Sequence, residues 1–144
     1  VNMFVAGFIG TPPMNFINGT LVKKGEDVYF EFENNMIKVP AEKANNPALK
    51  DYIGQEVVVG IRPESIHDQP AQLAALEDST IDAYVDVTEL MGAEIYLYLT
   101  VGDTNLTARV SARSTSRAGD TIKIAFDTAR MHIFDKDTEK CIVH

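Results

Sequence analysis

Short runs that alternate apolar and polar residues, broken at regular intervals by glycine, asparagine and aspartate, constrain this chain more than any other feature. Val28, Phe30 and Phe32 point one way while Tyr29, Glu31 and Glu33 point the other, the period of two that a half-buried β-strand requires. The alternation recurs in Val57, Val59 and Ile61, and again in Ile81, Ala83, Val85 and Val87 set against Asp82, Tyr84, Asp86 and Thr88. Ile95, Leu97, Leu99 and Val101 repeat it, as do Leu106, Ala108 and Val110, and then Ile122, Ile124 and Phe126. Between these runs lie Lys24-Gly25-Glu26-Asp27, Asn34-Asn35, Met91-Gly92-Ala93-Glu94, Val101-Gly102-Asp103-Thr104 and Ala118-Gly119-Asp120. Glycine adopts positive φ freely and Asn or Asp tolerates it, which is what tight turns demand. Many short strands joined by tight turns predict an all-β sandwich or barrel.

Helix signals are few. Asn46-Pro47, followed by Ala48 to Ile53 and closed by Gly54, combines a cap, a proline in the first turn and a terminating glycine. Asn2 is placed to cap a second short helix ending at Gly10, with Phe4 and Phe8 on one face and Pro12-Pro13 forbidding continuation. A third helix is expected over Pro70 to Leu76. Between Pro63 and Thr80 the strand pattern lapses, so this stretch divides an N-terminal strand group from a C-terminal one. Two small β units packed together, with a few short helices, are the architecture this predicts.

The chain has 144 residues, 45% apolar and 24% charged, enough for one domain or two very small ones sharing a core. Its net charge of -8 repels phosphate backbones and anionic lipid, so nucleic acid is not an expected partner. A single cysteine, Cys141, excludes an intramolecular disulfide. The longest apolar stretches, such as Phe4 to Ile9, fall far short of the roughly 20 residues that cross a bilayer. Starting at Val1 in the middle of a structured-looking segment, the chain reads as a fragment of a longer protein.

Catalytic motifs are absent from the sequence. There is no G-x-x-x-x-G-K-[ST] loop and no G-x-G-x-x-G after a strand. His67, His132 and His144 do not stand three to five residues from one another or beside a cysteine, so no converging set of metal ligands is expected and metal removal should leave the fold unchanged. His67-Asp68 reads as an exposed loop pair and His132 as a strand residue facing the polar side. Ser65, His67 and Asp68 occur together without the base and oxyanion donors a triad needs, and Asp82, Asp86 and Glu89 read as a solvated sheet face.

Two segments look unlike scaffold. The run from Phe4 to Phe16 gathers aromatics, glycines and two prolines at the edge of the chain, either docked on the chain's own sheet or meeting a partner, with Phe4, Phe8, Pro12, Pro13, Met14 and Phe16 as contacts. Phe8 and Phe16 are expected to be anchors, because the double proline fixes the turn between them. The run from Asn105 to Arg117 is the one locally basic, hydroxyl-rich stretch; Ser111, Arg113 and Ser114 either ring an oxyanion or form a solvated strand end. On the outward faces of the later strands, Tyr84, Tyr96 and Tyr98 add apolar area with polar tips, the composition of an interface.

Four segments taken in order carry a family resemblance: Asn2 to Phe16, Val59-Gly60-Ile61-Arg62-Pro63-Glu64, Val87-Thr88-Glu89-Leu90-Met91-Gly92-Ala93-Glu94, and Phe134-Asp135-Lys136-Asp137-Thr138-Glu139. With them the sequence resembles, over essentially its whole length, the C-terminal regulatory domain of ATP-binding subunits of carbohydrate importers of the ABC class, of the maltose and multiple-sugar type. The resemblance implies paired OB-like barrels of the transport-associated type, residues 17–63 with the C-terminal strands forming one and residues 81–134 the other, after a junction at residues 1–16. It implies no catalytic, cofactor-binding or metal residue in this chain, with ATP and magnesium confined to a missing N-terminal domain. Expected partners are a second copy, the chain's own nucleotide-binding domain, the membrane-spanning importer subunits and a regulatory protein, at the cytoplasmic face of the membrane. The competing reading is an oxyanion sensor of a related importer.

Overall fold

The computed structural model describes residues 12–144; the helix expected over Asn2–Gly10, with Phe4 and Phe8, lies outside them. The chain forms two units, one built from the residues up to Ile61 together with Thr128–His144, the other from Arg62–Asp127.

The first unit is a six-stranded antiparallel sheet. Its strands are β1 (Asn15–Lys24), β2 (Asp27–Phe32), β3 (Asn35–Lys38), β4 (Glu56–Ile61), β10 (His132–Asp135) and β11 (Cys141–Val143), in the order β11-β10-β4-β1-β2-β3. In β2, Val28, Phe30 and Phe32 are buried as their alternation predicts, and the rings of Phe30 and Phe32 stack at 5.8 Å. β1 was hidden from the period-two reading because its buried face runs Ile17, Gly19, Leu21. A Cβ on Gly19 would lie 2.5 Å from Phe30 Cζ and from the Glu31 carbonyl, so the Phe30 ring occupies the space an apolar side chain would mark. In β4 every residue from Val57 to Ile61 is buried, since both faces of the strand are covered. Gly60 is the concession: a Cβ there would meet Met14 Sδ at 2.6 Å and Phe134 Cε2 at 2.7 Å.

The helix expected after Asn46 is a 3-10 helix, Pro47–Tyr52, capped by Asn46 Oδ1 accepting from the Ala48 amide at 2.9 Å and followed by Gly54 at φ +83. Six residues leave room for few i to i−4 bonds, and the tighter turn is adopted instead. Leu49, on its inner side, is fully buried. A one-turn helix, Ala41–Ala44, was not legible beforehand.

The second unit is a five-stranded sheet, β5 (Ile66–His67), β6 (Thr80–Met91), β7 (Glu94–Val101), β8 (Thr104–Ser111) and β9 (Thr121–Phe126), ordered β5-β9-β6-β7-β8. β5 also approaches β8, bringing the sheet round to a nearly closed barrel. Ile81, Ala83, Val85, Leu97, Leu99, Leu106, Ala108 and Ile124 fill its interior. The expected helix is present as Pro70–Ala75.

Three readings are corrected here. Val87 does not continue the inward set begun at Ile81: the register slips between Val85 and Val87, the inserted residue rotates the strand, and Val87 is 54% exposed. His67 is not in a loop, since β5 pairs it with Ala125. The boundary given as residue 134 moves to Asp127: His132–Asp135 pairs with β4 and is one of the C-terminal strands expected to complete the first unit.

Candidate functional site

The β6–β7 hairpin of the second unit carries the exposed large apolar side chains among the described residues: Leu90 at 72%, Val87 at 54%, Met91 at 47% and Tyr84 at 46%. After the bulge, Val87 lies opposite Tyr98 and Glu89 opposite Tyr96, so Val87, Tyr96 and Tyr98 share the outer face with Tyr84. Of the three tyrosines named from sequence, Tyr84 is exposed while Tyr96 and Tyr98 are half-buried, and Tyr98 donates its hydroxyl hydrogen to Glu89 Oε1 at 3.1 Å. The hairpin closes at Gly92, φ +66, where an L side chain would be strained. Here a solvated strand would be polar, and instead it is apolar and aromatic.

The stretch from Ser111 to Arg117 is tied to its own barrel. Ser114 and Ser116 hydroxyls both donate to Asp68 Oδ2, and Gln69 Nε2 donates to Asp68 Oδ1 at 3.0 Å. Ser111 Oγ accepts from the Arg113 amide at 3.1 Å, and Arg117 Nη1 donates to the carbonyls of Ser114 and Ser116. Ser114 is buried, with its hydroxyl hydrogen directed at a carboxylate, while Arg113 and Ser111 are exposed. A cleft of about 340 Å³ beside this loop is lined by Glu64, His67, Asp68, Glu94 and Arg109 among others. Arg109 already faces two carboxylates, Glu94 at 3.3 Å and Glu64 at 3.8 Å. A cleft lined by three acids, two of them on its one guanidinium, is poorly matched to an anion. Ser65 is buried in the turn Pro63–Ser65, its carbonyl accepting from the Asp127 amide, so Ser65, His67 and Asp68 assemble no triad.

In the first unit, Met14 is buried against Val58 and Phe134, and Phe16 packs edge-on against Phe134 with centroids 5.9 Å apart. Pro12 is half-buried and Pro13 exposed. Nearby, Tyr52 donates to Asp135 Oδ2 at 2.6 Å, and Asp135 Oδ1 accepts from the amides of Asp137 and Thr138 at 2.8 Å each. The Thr138 amide, aided by the Tyr52 hydroxyl, holds the Asp135 carboxyl down at about 2, and the same bond raises the Tyr52 hydroxyl.

One group that sequence spacing had ruled out is present. His132, Cys141 and His144 offer ligand atoms that all lie within 4.8 Å of one another. Spacing along the chain missed it because β11 returns antiparallel on β10 and brings the ninth residue after His132 alongside it. The signal that was available is Cys141-x-x-His144. Burial pushes the Cys141 thiol up, opposed by the ammonium of Lys43, which is itself pushed down by burial.

Comparison with known proteins places these features in a family. A model described as the MalK OB fold domain matches residues 10–66, and one described as the TOBE domain matches residues 59–134, more than half of the chain. The chain belongs to the TOBE domain family. This TOBE domain is 40% identical over 138 residues to the oligosaccharides import ATP-binding protein MsmX of Bacillus subtilis, covering 96% of this chain and 37% of that protein. It is 35% identical over 142 residues to the trehalose/maltose import ATP-binding protein MalK of Thermococcus litoralis, covering 98% of this chain and 37% of the relative. The chain thus spans little more than a third of the length of the curated relatives it matches. The solved structure of the cytoplasmic molybdate-binding protein ModG shares the fold, with a TM-score of 0.61 at 13% identity, over 83% of this chain and 94% of that one.

The segments that carried the resemblance have structural reasons in this TOBE domain. Gly60 admits Met14 and Phe134, Pro63 opens a 3-10 turn, and Glu64 faces Arg109. Val87–Glu94 is the protruding hairpin, and Phe134–Glu139 is the turn whose amides Asp135 gathers, with Glu139 at φ +61. Among the described residues no helix is long and apolar enough to cross a membrane.

Proposed function

We propose that this TOBE domain is the non-catalytic regulatory domain of the ATP-binding subunit of a sugar importer, and that it acts as a tether between two such subunits. The importer relatives and their family resemblance to nearly the whole chain support the context. The observation that carries the tether is the outer face of the β6–β7 hairpin, where Tyr84, Val87 and Met91 stand in water, with Leu90 exposed on the opposite face of the hairpin's tip. A second copy is the occupant that fits, since identical chains reach closed C2 contacts most readily. A dimer held at this face keeps two nucleotide domains at high effective concentration, so that their ATP-driven closure becomes an intramolecular event. ATP and magnesium belong to the nucleotide domain of the longer subunit, which sits with its membrane-spanning partners at the cytoplasmic face. A regulatory protein acts on the importer through the same domain.

Sedimentation equilibrium at low and high salt tests the tether. The expected result is a dimer that strengthens with salt, because salt screens repulsion between chains of charge -8. A strict monomer at hundreds of micromolar in both salts overturns it. The oxyanion-sensor reading has less support, because Ser114 and Ser116 are engaged by Asp68. Calorimetric titration with molybdate and sulfate is expected to give no heat of defined stoichiometry.

A further inference from the structure

The first unit carries three side chains that a tether does not use. β10 and β11 pair antiparallel, Ile133 opposite Val143 and Phe134 opposite Cys141, with the register slipping between the two pairs. The slip lets Val143 enter the core while Cys141 packs on the side of Phe134, Met14 and Val58. His132, two residues before Phe134, lies on that side too, its ring 6.3 Å from Phe134. His144 then meets both: its Nδ1 is 3.5 Å from Cys141 Sγ and its ring stands edge-on to His132 at 5.7 Å. The Lys43 ammonium, donating to the His144 carbonyl, holds that residue in place.

We infer that His132, Cys141 and His144 form a binding site for a zinc-class transition-metal ion. The donor set decides the class: one thiolate and two imidazoles suit a borderline-soft cation, and a site without carboxylate or carbonyl oxygens does not suit calcium or magnesium. Distance agrees with the donor set. With metal–sulfur near 2.3 Å and metal–nitrogen near 2.0 Å, a tetrahedral ion holds its S and N ligands about 3.5 Å apart. Cys141 and His144 already stand at that separation, and every ligand atom lies within 4.8 Å of the others, a gap that rotation of a partly exposed imidazole closes. Binding exchanges the thiol proton, which now goes to the Val143 carbonyl, for the ion and releases it to solvent. Phe134 and Phe16 wall the site on one side, and the exposed His144 leaves the other open for entry and for a fourth ligand from water.

Cobalt(II) titration of the tag-free chain, followed by absorbance, is the test. The expected result is saturation at one ion per chain, with ligand-field bands of tetrahedral intensity, a thiolate-to-cobalt charge-transfer band, and displacement of both by zinc. Cys141→Ser should abolish the charge-transfer band and weaken binding by at least the roughly 10- to 100-fold that even outer partners of a metal site are worth. His144→Asn, at an exposed position, provides a second variant that keeps the fold and should weaken binding comparably, whereas His67→Asn should change nothing. Zinc should raise the melting temperature of the unmodified chain and not of Cys141→Ser. A weak octahedral spectrum without charge transfer, or an affinity indifferent to Cys141→Ser and His144→Asn, overturns the site.

Discussion

β4 and β6 are the central strands of their respective units, and they treat their side chains in opposite ways. β4 buries Val57 to Ile61 without a gap, because both faces of that strand are covered. β6 alternates as far as Val85 and then, past the bulge, leaves Asp86, Val87, Glu89, Leu90 and Met91 in solvent. The lesson is that an apolar run does not by itself mean core. In β4 the third dimension is supplied by Met14 and Phe134 on one face and the remaining core on the other; in β6 a single inserted residue turns an apolar side chain outward and makes a surface out of what reads as a continued strand.

If that contrast is right, substitutions in the two strands' surroundings should separate stability from association. The largest effect is expected at Phe134→Ala in the first unit, which empties the space beside Val58, Met14 and Phe16 and should destabilise by about 3–5 kcal/mol in urea denaturation. Gly19→Ala should cost about 1–3 kcal/mol by the same measurement, because its Cβ meets both the Phe30 ring and the Glu31 carbonyl at 2.5 Å. On the hairpin, Val87→Glu or Met91→Lys should stay within about 0.5 kcal/mol of the parent stability while sedimentation shows association lost. A stability loss as large as that of Phe134→Ala would show that the hairpin is core after all.

The smallest effect is confined to acid. Asp135 falls from 3.8 to about 2 in the fold, so its contribution is present above pH about 4 and is lost as pH drops through about 2. Asp135→Asn should therefore flatten the acid limb of stability between those values, measured by melting temperature against pH. An unchanged acid limb would mean that the Thr138 and Tyr52 bonds are not made in solution.

Legibility followed the same divide. Strands whose alternation is carried by side chains, such as β2, β7 and β9, were readable because period two is local. β1 was not, since the ring filling the Gly19 gap belongs to Phe30 on the next strand. Val87 was misplaced because a bulge is a property of the pairing with β7 and leaves no mark in β6 alone. Ser114 and Arg113 were visible as hydroxyl and charge, but Asp68, forty-six positions from Ser114, is what determines where the serine points. His132 and Cys141 meet only through an antiparallel return, so the cluster was invisible to any rule of spacing except the Cys141-x-x-His144 half of it.

The connectivity of the first unit has a kinetic consequence. β4 is made before the second unit and its partner β10 after it, so during synthesis the strand from Glu56 to Ile61 presents a bare hydrogen-bonding edge until residues 132–135 emerge. Long-range pairing of this kind slows folding, and an unpaired apolar edge recruits other chains. The pairing of β10 with β4 therefore waits until the second unit has been made, and aggregation competes with that step.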